Sequence, residues 1–129
     1  MTEFLTQKNV QVKAFPFADS NDIATIVKAA ADQCDALYVP TDNTAASCAE
    51  TIGNIIREKK VPLFAGEENV ARVCGVASLS ISYYNIGQVT GEMAAEILLG
   101  ASDIEDMAIR YDQSPVKKYN KAACENLGI

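Results

Sequence analysis

The sequence predicts an α/β domain, a three-layer αβα sandwich built on a mostly parallel sheet. Short apolar runs of strand type alternate along the chain with amphipathic stretches of helical period. Such alternation is typical of parallel sheets whose connecting helices cover both faces. The 129 residues fit one domain, and no linker, low-complexity segment or internal repeat divides them. We therefore expect a single α/β domain over residues 1–129.

Five segments have the pattern of strands. Their apolar residues either alternate with polar ones or form a short continuous run bounded by turn residues. Polar residues follow the second of them, and Gly66 follows the third. The predicted strands are residues 10–15, 36–40, 61–65, 75–82 and 107–111.

Helical stretches connect these strands. The first two place their apolar residues three and four positions apart, on one face each: Ile23, Ile26, Val27, Ala30 and Ala31, then Ala45, Cys48, Ala49, Ile52 and Ile56. A short helix is predicted to begin at residues 67–68, a longer one to cover 85–99, and a last one 121–127. In the longer helix, Gly87 and Gly91 weaken helix propensity, which predicts that they permit close packing.

The composition excludes several classes of function. A net charge of −6 and a pI near 4.5 argue against binding to nucleic acid or to anionic membranes. The absence of histidine removes imidazole catalysis and histidine–metal chemistry. The four cysteines show no CxxC spacing, and no phosphate-binding glycine loop follows a strand. We therefore expect no enzyme, no metal and no cofactor.

Two polar loops follow predicted strands and are the candidate binding site. Ligands of open α/β sheets bind beside the carboxyl ends of strands. The first loop carries Asp42, Asn43 and Thr44, and the second carries Glu67. If the two strands before these loops are neighbours, about 4.8 Å apart, Asp42 and Glu67 face one small ligand, and paired carboxylates suit a cation or an amine. The alternative is that these side chains only cap helices, with Asn43 or Thr44 as the cap of the helix that follows.

Two aromatic residues stand in the corresponding place after the fourth predicted strand. Tyr83 and Tyr84 could stack on a flat ligand. A half-buried position at the edge of the core is an equally good interpretation of the pair.

The sequence resembles one family in four separate segments. These are residues 38–44 (YVPTDNT), 61–68 (VPLFAGEE), 82–91 (SYYNIGQVTG) and 94–100 (AAEILLG). They look like the substrate-binding lipoproteins of ABC transporters of the tryptophan/tyrosine-uptake type, which are periplasmic-binding-protein-like receptors of type I. The resemblance runs from about residue 10 to residue 129, with the segments in the family's order.

The resemblance implies a fold and a function. Such receptors have two flavodoxin-like α/β lobes that close on a small ligand, and this chain would be the C-terminal lobe. Asp42, Asn43, Thr44 and Glu67 would then contact the ligand, an amino acid of aromatic type. The implied partner is an ABC permease, and the implied location of the parent protein is extracytoplasmic and lipid-anchored, although we expect no signal peptide in this chain. The alternative is the effector-sensing domain of a transcriptional regulator with the same lobe.

The resemblance also implies an incomplete sheet. The lobe of this family opens with a strand and a helix that precede the segment at residue 10, and that strand is central. Without it the sheet has uncovered apolar edges. We therefore expect a homo-oligomer, or an exchanged strand, that covers the gap.

Overall fold

The computed structural model describes residues 2–129 and contains one four-stranded sheet. Its strands are β1 (Leu37–Val39), β2 (Leu63–Ala65), β3 (Ala77–Ser80) and β4 (Val116–Tyr119), in the order β1-β2-β3-β4. The first three pair in parallel, and β4 pairs antiparallel with β3. The predicted α/β class with a mostly parallel sheet is confirmed.

Helices and strands alternate from β1 onward, whereas the first two helices come before that strand. They are α1 (Thr2–Gln7), α2 (Ile23–Ala31), α3 (Asn43–Ser47), α4 (Ala49–Lys59), α5 (Glu68–Val73), α6 (Tyr83–Leu98) and α7 (Lys121–Leu127), with a 3-10 turn at Ile104–Asp106. The single helix expected between the second and third predicted strands is divided in two. At Cys48 the backbone turns to φ −103° and ψ 14°, so α3 ends and α4 begins there.

The core lies between one face of the sheet and helices α2 to α5. Its largest fully buried side chains are Ile23, Ile52, Leu63 and Val70. The helical faces predicted from spacing supply much of it, since Ala30 and Ala31 of α2 and Ala49, Ile52 and Ile56 of α4 are buried. The spacing of apolar residues three and four positions apart therefore predicted this part of the core correctly.

The opposite face of the sheet carries an exposed row of side chains. Tyr38, Phe64, Ala77 and Tyr119 are in register across all four strands. Tyr38, Phe64 and Tyr119 remain 48%, 45% and 76% exposed, and Leu79 on the same face is 58% exposed. This apolar face is not covered by the described residues.

Two of the five predicted strands are wrong. The segment 10–15 is irregular, because it lies next to no strand that could accept its backbone hydrogen bonds. Its Lys13 instead donates to the side chain of Gln33, 2.5 Å away, at the end of α2. The segment 107–111 is also not a strand, and Arg110 ties it to Glu96 of α6.

The fourth strand of the sheet is β4, which the apolar pattern does not reveal. Its sequence, VKKY, is exposed at all four positions. A strand at the edge of a sheet tolerates lysines because they discourage pairing with other chains.

The expected close packing at the two glycines of α6 is also wrong. A Cβ atom added at Gly87 or at Gly91 would meet nothing within 4 Å. These glycines therefore weaken the helix without a packing benefit among the described residues.

Candidate functional site

Three loops meet at one edge of the sheet because β1, β2 and β3 run in parallel. Val39 and Ala65 are register partners, as are Ala65 and Ser78, so the carboxyl ends of the three strands are adjacent. The loops that leave these ends are residues 40–42, 66–67 and 81–82. This is the edge at which open α/β sheets bind ligands.

The first two loops are joined by backbone and side-chain hydrogen bonds. The N–H of Gly66 donates to the carbonyl of Val39 at 2.8 Å, and the hydroxyl of Thr41 donates to the carbonyl of Gly66 at 3.2 Å. A Cβ atom at Gly66 would lie 2.8 Å from the Tyr38 hydroxyl and 3.2 Å from the Thr41 nitrogen. Glycine therefore allows the two loops to approach this closely, which places the Asp42 and Glu67 loops side by side.

Both candidate carboxylates cap helices. Asp42 Oδ1 accepts from the N–H of Ala45 at 2.8 Å at the start of α3. Glu67 accepts with both oxygens at the start of α5, from the N–H of Asn69 at 2.7 Å and from that of Val70 at 3.0 Å. The capping alternative thus holds for these two side chains, and it fixes where the carboxylates lie at the sheet edge.

The expected cap at Asn43 or Thr44 is wrong, because Asp42 occupies the cap position. Asn43 and Thr44 form the first two residues of α3, where Asn43 is exposed and Thr44 half-buried. Both lie directly after Asp42 and so stay at the carboxyl edge of the sheet. The four predicted site residues therefore fall on two adjacent loops and the helix starts that follow them.

The third loop brings two exposed aromatic rings to the same edge. Tyr83 and Tyr84 begin α6 and are 70% and 75% exposed, so they are not the half-buried pair that one interpretation predicted. Ser82 caps this helix, since its hydroxyl oxygen accepts from the N–H of Asn85 at 3.3 Å. Large exposed rings beside a ligand edge are available for contact with a flat group.

Asp112 holds the third loop in position and was not among the residues predicted from the sequence. Its carboxylate accepts from the N–H of Ser82 at 2.7 Å, and this bond is the first cause of a lowered pKa. The N–H of Ser114, at 2.9 Å, and the side-chain amide of Asn85, at 3.3 Å, lower the pKa of Asp112 further. Nothing in the local pattern around residue 112 indicates a contact 30 positions away.

The chemistry available at this edge is recognition rather than catalysis. Carboxylates, an amide, hydroxyls and aromatic rings can bind an amine and a flat apolar group. Within residues 2–129, no group of three or more metal-ligating side chains occurs. The buried thiol, Cys74, is inert, because burial raises its pKa to about 11.

No helix in the part of the chain that the structure describes is long and apolar enough to cross a membrane.

Comparison with known proteins identifies the family. The family model for ABC transporter substrate-binding proteins matches residues 1–129. A curated relative, the tyrosine-binding protein of Clostridioides difficile, is 29% identical over 100 residues, which is 78% of this chain and 29% of that protein. The chain therefore spans less than a third of the length of this relative.

Solved structures give the same result. The domain from Streptococcus pneumonia in complex with L-Trp superposes with a TM-score of 0.86 at 27% identity, over 98% of this chain and 43% of the other. The ligand-free, open structure of a substrate-binding protein with adhesive properties from Clostridium difficile gives 0.77 at 29% identity, over 99% and 43%. Since the family model covers the whole chain and belongs to binding proteins rather than enzymes, this chain belongs to the family of ABC transporter substrate-binding proteins.

Proposed function

We propose that this chain is the C-terminal lobe of the solute receptor of an ABC importer, and that it binds an amino acid with an aromatic side chain. One observation carries the proposal: three loops with carboxylate, amide, hydroxyl and aromatic groups meet at the carboxyl edge of a sheet that superposes on an L-Trp complex. The chain covers 43% of that structure, so the activity of the whole receptor is part of the proposal.

The proposed binding mode follows from the groups at the edge. Asp42 and Glu67 supply negative charge that attracts the ammonium group of the ligand. The Coulomb attraction between an ammonium and one carboxylate 4 Å apart is about 4 kcal/mol near a protein surface. Asn43 and Thr44 add polar contacts from the start of α3, and the exposed Tyr83 and Tyr84 rings add a surface for a flat side chain. The second wall of the cleft would come from another lobe, so the chain alone should bind weakly or not at all.

The proposed biological setting is that of an extracytoplasmic receptor. Hinge closure of two lobes on the ligand would present both to an ABC permease. We propose that the parent protein is held at the membrane as a lipoprotein. Self-association, expected from the incomplete sheet, is a separate proposal because it rests on another surface.

We propose that this other surface, the uncovered row of Tyr38, Phe64 and Tyr119 with Leu79, packs against a second copy of the chain. At their observed exposures these four side chains present roughly 450 Å² of surface. A standard interface buries about 800 Å² per partner, of which a little over half is apolar. The row therefore supplies the apolar part of such an interface.

Light scattering tests the self-association. We expect a dimer mass at micromolar concentration, and a monomer mass for Phe64→Lys, because a buried unpaired charge opposes association. Tyr111→Lys, an exposed position outside the sheet, is the matched control. A monomer mass for the unaltered chain at every concentration would refute the proposal.

A thermal-shift panel of the twenty amino acids tests the ligand. The chain is joined to the remaining part of its Streptococcus relative so that two lobes are present. We expect aromatic amino acids to raise the melting temperature of this chimera and Asp42→Asn to reduce the shift. Asparagine caps helices as well as aspartate, so that variant removes the charge alone. Glu58→Gln, at the carboxyl end of α4, is the charge control. No shift with any aromatic amino acid would remove the ligand proposal.

A further inference from the structure

We propose that Asp112 is the positioning residue of the third loop, residues 81–82, and of residues 83–85 at the start of α6, beside the carboxyl edge of the sheet. Its role in binding rests on the proposed function, but its role in holding the loop does not. Asp112 is contributed by the segment 107–115, which returns along α6 after the 3-10 turn. It therefore joins the loop that leaves β3 to a distant part of the chain.

The geometry at Asp112 uses both carboxylate oxygens. Oδ2 accepts from the N–H of Ser82 at 2.7 Å. Oδ1 accepts from the Asn85 side-chain amide at 3.3 Å and from the N–H of Ser114 at 2.9 Å. The contact to Ser114 shapes the segment itself, whereas those to Ser82 and Asn85 reach across to the loop. One side chain thus fixes the residues on both sides of the two tyrosines.

Helix α6 depends on such contacts more than the other long helices do. No residue between Tyr83 and Leu98 is fully buried, whereas α2 and α4 both contribute buried side chains to the core. A second polar contact joins the same segment to the far part of α6, where Arg110 makes two hydrogen bonds to Glu96 at 2.9 and 2.6 Å. Polar contacts with the segment 107–115, rather than apolar burial, therefore hold α6 near both of its ends.

Only a carboxylate can satisfy the donors around residue 112. An asparagine has one acceptor oxygen, and its NH₂ group would face either the Ser82 N–H or the donors at Asn85 and Ser114. Asp112→Asn therefore keeps the size of the side chain and removes at least one of the contacts. The start of α6, which carries Tyr83 and Tyr84, would then lose its fixed position, and this lowers the preorganisation of the site for a flat ligand.

Amide hydrogen exchange on the chain itself tests the positioning role. We expect Ser82 to exchange about tenfold faster in Asp112→Ala, because this variant removes both acceptor oxygens and with them the hydrogen bond from the Ser82 N–H. Asp106→Asn, at an exposed acidic position in the 3-10 turn, should leave this rate unchanged. Adding Asn85→Ala to Asp112→Ala should change the exchange rate of Ser82 little further, because the carboxylate that the Asn85 amide contacts is already absent. Unchanged exchange at Ser82 in Asp112→Ala would overturn the proposal.

Ligand affinity in the two-lobed chimera separates this proposal from the proposed function. We expect Asp112→Ala to weaken binding of an aromatic amino acid about tenfold, with little change for Asp106→Asn. Faster exchange at Ser82 with unchanged affinity would show that the loop is held by Asp112 but does not contact the ligand, which overturns the role in binding. If the unaltered chimera binds no amino acid, the proposed function fails, and the exchange rate still decides whether Asp112 positions the loop.

Discussion

The hydroxyl of Thr41 donates a hydrogen bond to the carbonyl of Gly66 across 3.2 Å, and this contact joins the loops that follow β1 and β2. The two residues are 25 positions apart in sequence. The bond places the first two polar loops of the candidate site at a fixed distance from each other. The site is therefore assembled by the sheet and by this bridge, rather than by a contact between the carboxylates of Asp42 and Glu67.

Thr41→Val should lower the free energy of unfolding by about 0.5–1.5 kcal/mol. The substitution keeps the shape of the side chain and removes the hydroxyl. The expected loss of stability is therefore that of one neutral hydrogen bond at an accessible position. Thr51→Val, on the exposed side of α4, is the control and should stay within about 0.5 kcal/mol. Urea denaturation of both variants checks the difference, and equal values would show that the bridge contributes nothing.

Glu67→Gln should destabilise the chain by about 1 kcal/mol, the usual effect of weakening a helix cap. Glutamate accepts from two N–H groups of α5, and glutamine has a single acceptor oxygen for them. Glu68→Gln is the neighbouring control. It removes an ion pair with Lys118 in which both side chains are about half exposed, and such pairs contribute little. The melting temperature of Glu67→Gln should be well below that of Glu68→Gln. The reverse order would contradict the role of Glu67 as a helix cap.

Alanine substitution at two helical glycines should change stability in opposite directions. A Cβ atom at Gly53 of α4 would lie 2.8 Å from the buried Cys74 Cβ, so Gly53→Ala should destabilise by about 1–3 kcal/mol. Gly87 of α6 has nothing within 4 Å, so Gly87→Ala should stabilise by about 0.5–1 kcal/mol through helix propensity. The denaturant midpoints of the two variants measure both changes in stability. Stabilisation by Gly53→Ala would show that α4 and α5 are packed less closely than described.

Asp112 should make stability depend on pH in the acid range. Its N–H donors lower the pKa of the folded state below the value near 3.9 of an unfolded aspartate. The stabilisation is therefore fully present above pH 4 and is lost as pH falls through the lower folded pKa. We expect the difference in melting temperature between the unaltered chain and Asp112→Asn to shrink below pH 4. A difference that stays constant from pH 7 to pH 2.5 would contradict this.

The part of the fold that the sequence predicted is the part that is buried. Leu63 and Ala65 form a short apolar run, and Ile52 and Ile56 recur at helical spacing, because both sets of side chains face one core. The strand β4 was not predicted, because an exposed edge strand needs no apolar pattern. The segment 10–15 has the alternation of a strand, but alternation does not supply a neighbour with which to pair.

The sequence placed the four candidate residues in loops after two strands, but it did not identify which of them caps α3. Parallel strands bring their carboxyl ends together, but the pairing of β1 with β2, which puts Asp42 and Glu67 on adjacent loops, comes from the structure. Which residue caps α3 depends on backbone angles, and Asp42 adopts the extended conformation that a cap requires. The contact between Asp112 and Ser82 depends on the path of the chain after α6, which local sequence does not determine.

Calorimetric titration decides whether this chain forms one wall of a cleft for an aromatic amino acid. L-Tryptophan and L-tyrosine are titrated into the chain alone, into the two-lobed chimera, and into the chimera carrying both Asp42→Asn and Glu67→Gln. We predict one bound ligand per chimera, much weaker binding by the double variant, and little or no heat with the chain alone. A chimera that is folded and binds neither amino acid, or that binds equally well with both carboxylates removed, would contradict the account.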